Sequence, residues 1–269
     1  MKQFILVISV LLFFQFVNAQ KLQRSKQVQN DSIYLGLINP FMVPIEIKLS
    51  ALDSVKSYVK VNPYGILKEG DTLKQALVIP LNKLQDSSKI DFKNYLNFSA
   101  KFGNPNETYD TDFEYELPFQ KGKKYKIIQS FGGKFSHNKP HSRYAIDIGL
   151  AIGDTITAAR KGKVYFVKED SKEHCRTRKC IDMANKIYIL HEDGTMAHYV
   201  HLDFEGALVD VGDTVEANQP IGISGMTGFT TIPHLHFVLY KSRSISIPFK
   251  FRGMKYSKLK PGRYYKRKN

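Results

Sequence analysis

Three features of the sequence predict an all-β fold in two parts. Short runs of β-branched and aromatic residues recur at strand length, and turn signals such as Asn39-Pro40 and Gly153-Asp154 separate them. Long helical periodicity is absent. All eight histidines lie within residues 137–236, so we expect any histidine-dependent chemistry in the second part of the chain.

Residues 20–110 are predicted to form a small accessory domain that resembles a β-sandwich. Its strand-like runs include SIYLGL, PIEIKL and QALVIPL, and no cluster of catalytic residue types accompanies them. The polar stretch KFGNPNETYDTD, residues 101–112, is typical of a linker. Residues 111–248 are again strand-rich and are predicted to form a second domain.

The first 19 residues have the composition of a secretory signal peptide. One lysine precedes an apolar run that begins at Phe4, and the small residue Ala19 provides a cleavage signal before Gln20. The run is interrupted by Gln15 and is too short for a comfortable membrane span. We therefore expect an exported protein, periplasmic or secreted, without stable membrane insertion after the signal is removed.

The charge of the chain indicates its partners. The formal net charge is +15 at pH 7, and an exported basic protein is expected to contact anionic envelope polymers, with no nucleic-acid partner. Basic residues are concentrated in residues 249–269, which are predicted to form a solvated, basic C-terminal tail.

Both cysteines, Cys175 and Cys180, lie in one charged loop. In an exported protein this spacing favours a local disulfide that closes the loop. A structural zinc site would need four ligands, and His174 is the only further candidate beside them.

The segment IPHLHFVLY places two histidines on one face of a predicted strand. Because side chains alternate along a strand, His234 and His236 share a face with Val238, while the apolar residues between them form a core face. In the segment MAHYVHL the same rule puts Tyr199 and His201 on one face and His198 on the other. His201 is therefore the preferred site candidate.

Asp147 is the candidate carboxylate of the site. It lies between two isoleucines, where an unpaired aspartate would be costly to bury. Coordination to a metal would offset that cost, and so would hydrogen bonding in a purely structural role; the residues alone leave both alternatives open.

Two other hydrolase arrangements are excluded by the sequence. The segment GISGMTG does not have the Gly-x-Ser-x-Gly spacing of a nucleophile elbow, and no His-Glu-x-x-His motif is present. The remaining arrangement is a zinc site assembled from strands, in which one coordination position stays open for water.

The ordered set of a histidine, Asp147, Tyr-x-His-Leu and His-x-His resembles the lysostaphin-type zinc metalloendopeptidases of bacterial cell walls, over roughly residues 115–240. The resemblance implies an antiparallel β-sheet peptidase domain that follows an accessory β-domain. It also implies Zn²⁺ as the cofactor and peptidoglycan as the substrate. The implied zinc ligands are His137, Asp147 and His236, and the implied catalytic residues are His201 and His234.

The sequence departs from the family pattern at two positions. The family's commonest first motif has a histidine four residues before the aspartate, where this chain has Arg143. The segment FSH favours His137 as the first ligand, with His141 as the alternative. The usual glycine before Pro-His-Leu-His is replaced by Ile232, which is expected to narrow substrate access.

These features together predict a zinc metalloendopeptidase that hydrolyses peptide bonds in bacterial peptidoglycan. The alternative from a different class is a non-catalytic envelope module that binds peptidoglycan or activates another hydrolase.

Overall fold

The computed structural model describes residues 21–84, 90–242, 245–254 and 259–267. The predicted signal peptide, residues 1–19, lies outside these residues. No helix in the described ranges is both long enough and apolar enough to cross a membrane. The helices found there are short 3-10 turns at Leu81–Lys83, Phe92–Asn94 and Arg178–Met183, and the rest of the regular structure is β.

The first part of the chain folds into two small antiparallel sheets. One has the strand order β1-β2-β6-β4 and the other the order β5-β3-β7. The strands are β1 (Gln23–Gln29), β2 (Ser32–Ile38), β3 (Ile45–Ala51), β4 (Lys60–Val61), β5 (Tyr64–Leu67), β6 (Thr72–Pro80) and β7 (Leu96–Phe102).

Apolar side chains at alternate positions hold these two sheets together. On β3, Ile45, Ile47 and Leu49 are buried, while Lys48 between them is exposed. Ile33 and Leu37 of β2 belong to the same buried cluster. Burial of one face of each sheet against the other is the arrangement of a β-sandwich, and the predicted all-β fold class is confirmed.

The second part is built around a larger, mainly antiparallel sheet with the strand order β16-β12-β14-β15-β19-β10-β9-β22. Strand β17 pairs with both β15 and β11 beside this path. The strands are β8 (Glu114–Tyr115), β9 (Lys124–Gln129), β10 (Ile146–Ile148), β11 (Thr155–Thr157), β12 (Gly162–Lys168), β13 (His174–Cys175), β14 (Asn185–Leu190), β15 (Met196–Ala207), β16 (Thr214–Val215), β17 (Pro220–Ser224), β18 (Gly228–Phe229), β19 (Leu235–Ser242), β20 (Ile245–Ser246), β21 (Lys250–Phe251) and β22 (Tyr264–Lys266).

The two faces of the large sheet differ in what covers them. Leu235, Phe237 and Leu239 of β19 are fully buried in the main core. His236 and Val238, at the alternate positions, point to the opposite face and line a cavity. The division of β19 into a core face and a site face is therefore confirmed.

The accessory sandwich covers one end of this opposite face. A third buried cluster joins the two parts of the chain, and its members come from both. Phe102 of β7 meets Tyr165 of β12 edge to face, with ring centroids 5.6 Å apart. The sandwich is therefore packed against the large sheet next to the cavity.

The predicted linker, residues 101–112, overlaps the end of strand β7 in the structure. Lys101 and Phe102 belong to β7, and Gly103 forms an isolated antiparallel bridge with Ser242. Gly103 has a φ of +93°, and a Cβ there would lie 2.5 Å from the carbonyl oxygen of Lys241. The polar composition of this stretch concealed a strand end that contacts the second part of the chain.

The prediction of a solvated C-terminal tail is wrong for the described part of residues 249–269. Phe249, Phe251 and Leu259 are buried in the main core. Strand β22 pairs with β9. Arg267 is 4% exposed, and its guanidinium donates hydrogen bonds to Phe119 O and Thr157 Oγ1. The described part of this segment therefore belongs to the core and adds a strand to the sheet.

Truncation after Phe251 is expected to destabilise the second domain. It removes β22 and the buried Leu259, and loss of one buried leucine side chain alone costs roughly 2–5 kcal/mol of unfolding free energy. Chemical denaturation should show the loss. As a control, the double variant Lys260→Gln, Lys266→Gln removes exposed charge but keeps the strand, so its stability should stay near that of the parent. Equal stability of the truncated and full-length chains would contradict this role.

Candidate active site

Five residues on neighbouring strands form a row across the large sheet. Cross-strand pairing aligns Gln129 of β9 with Asp147 of β10, Asp147 with His236 of β19, His236 with Val200 of β15, and Val200 with Lys186 of β14. Directly opposed residues point to the same face of a sheet. All five therefore face the cavity, and we call them the site row.

His137, Asp147 and His236 come together at one end of the site row. Their ligand atoms all lie within 4.8 Å of one another. The Asp147 Oδ1 atom is 2.8 Å from His236 Nδ1 and 3.2 Å from His137 Nε2. Two imidazoles and a carboxylate are a known ligand set for zinc in catalytic sites, which leaves a fourth position for water or substrate.

The loop between β9 and β10 orients His137 toward this group. Its Nδ1 lies 3.2 Å from Ser130 O, and because a carbonyl oxygen only accepts, Nδ1 carries the proton and donates. Nε2 is then the nitrogen with a lone pair. Nε2 is buried and has no hydrogen-bond partner among the described residues. A buried polar atom without a partner is costly, and coordination to a metal ion would satisfy it, so these residues fit zinc.

Asp147 is held in its ionised form. Burial alone would raise the pKa of its carboxyl group, but the imidazoles of His137 and His236 that face the carboxylate, together with the nearby His234, hold that pKa well below its usual range. Burial also lowers the pKa of the His236 imidazole, although the Asp147 carboxylate opposes the shift. A carboxylate and a neutral imidazole are the forms that bind a metal.

Gln129 connects Asp147 to the loop that carries His137. Its Nε2 donates to Asp147 Oδ2 at 3.0 Å and to Ser136 Oγ at 2.7 Å. Its Oε1 accepts from the backbone N–H groups of Phe135 and Ser136. Gly133 makes room for this side chain, since a Cβ there would lie 2.3 Å from Gln129 Cγ. Gln129 therefore positions two of the three ligands.

His201 reaches the site by a route that simple alternation does not predict. Asn185 pairs with Leu202 and the next residue, Lys186, pairs with Val200, so His201 is an extra residue in β15. Its φ is +72°, in the left-handed region. A β-bulge of this kind redirects a side chain. The prediction that His201 shares a face with Tyr199 is wrong, because Tyr199 is in the core and His201 lines the cavity.

His201 and His234 lie side by side next to the candidate ligands. Their ring centroids are 4.6 Å apart, and His234 Nε2 is 3.7 Å from Asp147 Oδ1. His201 Nδ1 donates to Thr227 O at 2.6 Å, and His234 Nδ1 donates to Ile232 O at 2.9 Å. Both hydrogen bonds place the proton on Nδ1, which leaves each Nε2 able to accept a proton.

The His201 imidazole is held neutral. Burial, followed by the nearby His234 and His236, lowers its pKa to about 3. Thr227, whose carbonyl orients His201, is itself fixed by a hydrogen bond from its hydroxyl to Leu202 O at 2.7 Å. This arrangement presents a neutral ring in one tautomer to the cavity.

The other histidines have different surroundings. His198 lines the cavity, but its ring stacks on Tyr188 with centroids 3.4 Å apart and its Nε2 is 2.8 Å from Tyr165 Oη. His191 is buried away from the site, with Nδ1 2.9 Å from Lys161 O, and burial lowers its pKa to about 4. His174 is exposed in the cysteine loop.

The alternative first ligand, His141, is exposed and lies outside the group formed by His137, Asp147 and His236. His137→Ala should therefore lose zinc, whereas His141→Ala should keep it and lower activity only modestly. Metal content after dialysis, measured by mass spectrometry on both variants, tests this pair. Zinc lost from His141→Ala and kept by His137→Ala would assign the first ligand to His141.

The site row lies at the floor of a cavity of about 1010 Å³, the site cavity. Cys175 and Cys180 form a disulfide, and residues of the adjoining 3-10 helix line one wall, including Arg178. Ile232 lines the rim and is 46% exposed. That this side chain narrows substrate access stays a prediction.

Two positioning residues were missed in the sequence. Gln129 ends an ordinary strand-like run, and its role depends on the loop that folds back over it. Thr227 lies within GISGMTG, where the glycines signal a turn. No local signal indicates this role, because the Thr227 hydroxyl bonds to the carbonyl of Leu202, which is distant in the chain.

Comparisons with known proteins give a family match and several relatives. The model of Peptidase family M23 matches residues 141–248, a range that contains Asp147, His201, His234 and His236 but begins after His137. Lysostaphin of Staphylococcus simulans is 36% identical over 95 residues, which are 35% of this chain and 17% of that protein. Peptidoglycan DD-endopeptidase ShyA of Vibrio cholerae is 28% identical over 195 residues, 67% of this chain and 42% of that protein.

Among solved structures, the catalytic domain of lysostaphin from Staphylococcus simulans matches 46% of this chain and 86% of that chain, with 28% identity and a TM-score of 0.33. The chain spans less than half the length of the two curated relatives named above.

Proposed function

Because residues 141–248 match the model of peptidase family M23, we propose that the chain is an exported zinc endopeptidase that hydrolyses peptide bonds in bacterial peptidoglycan. The observation that carries the proposal is the convergence of three metal-ligand side chains within 4.8 Å, with the rings of His201 and His234 beside them. Metal-ligand residues and proton-transfer residues on one sheet face are what metal-assisted hydrolysis requires.

Family M23 peptidases are zinc metallopeptidases, and His137, Asp147 and His236 would hold the ion here. When bound, Zn²⁺ supplies a Lewis acid that polarises the scissile carbonyl and lowers the pKa of the attacking water. Gln129 is hydrogen-bonded both to the Asp147 carboxylate and to the loop that carries His137. These bonds fix the positions of the two ligands relative to each other. The ligands are therefore oriented before substrate arrives.

His201 and His234 would manage the proton and the developing negative charge. Each ring has its proton on Nδ1, so the Nε2 lone pair can accept a proton from the attacking water. The histidine that has accepted the proton can donate a hydrogen bond to the oxyanion and then pass the proton to the leaving amine.

The substrate and the compartment rest on different observations. Lysostaphin and Peptidoglycan DD-endopeptidase ShyA, the relatives named above, support peptidoglycan as the substrate. The composition of residues 1–19 and the disulfide between Cys175 and Cys180 support export to the periplasm or beyond. The non-catalytic envelope module is disfavoured, because such a module has no need of a complete ligand set with two adjacent histidines.

Purified full-length protein tests the proposal directly. We expect about one zinc ion per chain by elemental analysis, as a single site requires. Incubation with purified peptidoglycan sacculi should release new amino groups, and a chelator should stop the release. Zinc-loaded protein that releases no amino groups from sacculi or from soluble muropeptides would favour the binding module.

A further inference from the structure

The site row continues past the candidate metal ligands to a lysine. Lys186 lies two strands from His236 in the same row, through Val200. Because neighbouring strands are separated by about 4.8 Å, the Lys186 backbone is about 10 Å from that of His236. Lys186 is 9% exposed and lines the site cavity. Its cationic side chain is therefore part of the floor next to the candidate active site.

Two more cations reach the same cavity from separate parts of the fold. Lys101 comes from β7 of the accessory sandwich. Lys101 lies opposite Glu46 on the neighbouring strand β3. The Glu46 carboxylate forms an ion pair with Lys48, whose Nζ is 2.9 Å away. Arg178 begins the 3-10 helix beside the disulfide, with its guanidinium carbon 5.9 Å from the centre of the Phe229 ring. The sandwich, the sheet and the cysteine loop each contribute one positive charge.

Cationic side chains outnumber carboxylates on the described lining of the cavity. Among the described residues that line it, Asp147 is the only carboxylate, and Asp147 belongs to the candidate metal site. A metal ion there would make the cavity still more positive. A site of this electrostatic character favours an anionic ligand.

The donor types indicate the kind of anion. Guanidinium and ammonium groups form short, charge-assisted hydrogen bonds with carboxylates, and arginine can bind one in a bidentate fashion. A cavity of about 1010 Å³ has room for several residues of a peptide. Stem peptides of peptidoglycan carry free carboxylates, whereas the interior of a bridge made of glycine carries none.

We propose that Lys186, Lys101 and Arg178 form a carboxylate-binding subsite, so that the enzyme selects peptides that carry a free carboxylate close to the scissile bond. This inference rests on the proposed peptidase function and adds the substrate class. Because Lys101 belongs to the accessory sandwich, that domain would contribute directly to substrate recognition.

A pair of chemically matched substrates tests the proposal. The first is a soluble cross-linked muropeptide with its free carboxyl groups intact, and the second is the same muropeptide after conversion of those groups to carboxamides. We expect kcat/KM to be at least roughly 10-fold higher for the carboxylate form, the size of effect expected for hydrogen bonds to a charged group. Binding of both forms, measured by calorimetry, gives a readout that does not depend on turnover.

Variants of the zinc-loaded full chain assign the preference to residues. Lys186→Met keeps most of the apolar stem, and Arg178→Gln and Lys101→Gln change more accessible positions, so folding should survive. In each variant the ratio of kcat/KM for the carboxylate form to kcat/KM for the carboxamide form should fall toward unity. Lys163→Gln is the matched control, because Lys163 is exposed on β12 of the same sheet outside the cavity.

The outcomes separate the subsite from the peptidase function. Cleavage of both muropeptides at equal rates, with equal binding, would overturn the subsite and leave the peptidase function intact. Carboxylate-selective binding without cleavage, lost in Lys186→Met, would support the subsite and count against the peptidase function. If neither form binds or is cleaved, both are overturned.

Discussion

Replacement of Asp147 by alanine is expected to abolish both zinc retention and hydrolysis of peptidoglycan. Asp147 supplies the only carboxylate among the three candidate ligands, and its oxygen lies within 3.2 Å of a nitrogen of each of the other two. Without it, two imidazoles remain, which are too few for a zinc site that otherwise has three protein ligands. Elemental analysis after dialysis and release of amino groups from sacculi measure the two losses.

The Asp147 experiment needs controls for folding and for charge. Asp147→Asn keeps the shape of the side chain but removes its charge, and we expect it to lose zinc as well. Asp210→Ala removes an exposed aspartate of the same domain and should retain both zinc and activity. Circular dichroism should show that all three variants remain folded. Unchanged zinc content and activity in Asp147→Ala would refute the metal assignment.

The second large effect is expected at the two histidines beside the candidate ligands. His201→Ala and His234→Ala should bind zinc nearly as the parent does but lose turnover by roughly 10²-fold or more, the usual cost of removing a proton-transfer or oxyanion-stabilising group. Both rings are oriented through Nδ1 by backbone carbonyls, so their Nε2 atoms are available for chemistry. Zinc content and steady-state hydrolysis of a soluble muropeptide separate binding from catalysis.

His174→Ala provides the comparison for these two variants, because His174 is an exposed histidine in the cysteine loop. It should keep both zinc and turnover. If either His201→Ala or His234→Ala lost the metal, that histidine would belong among the metal ligands. Its assignment as a proton-transfer residue would then be wrong.

The strand β19 shows how much local pattern can predict. His234 and His236 alternate with apolar residues, and a strand that is core on one face can expose the other face only to a site or to solvent. Asp147 was identified by a different argument, because a carboxylate between two isoleucines is costly to bury without a partner. Both inferences depend only on neighbouring residues in the local chain.

The two-residue alternation of a strand predicted the wrong sheet face for His201. A single extra residue in β15, where Lys186 and Asn185 pair with Val200 and Leu202, shifts every later side chain to the other face. A bulge is defined by a mismatch between two strands, so the sequence of one strand does not reveal it. His201 does line the cavity, but the predicted reason for its position is contradicted by the strand pairing.

The C-terminal segment was misread because its charge was obvious and its apolar residues were sparse. Leu259 is surrounded by lysines and arginines in the sequence, yet it is buried in the main core. Whether a two-residue or three-residue strand such as β22 forms depends on an edge strand, here β9, being available to pair with it.

By itself the sequence determined the all-β class and predicted a histidine site in the second part of the chain, because these follow from strand periodicity, turn chemistry and the confinement of the histidines; the candidate ligand set came from the family resemblance. Tertiary structure decided the rest. The order of strands placed Lys186 in line with His236, packing of the sandwich brought Lys101 to the cavity, and a loop clamped by Gln129 presented His137 and left His141 exposed. Each of these depends on contacts between residues far apart in the chain, whose register is set by the packing of the whole sheet and not by any local segment.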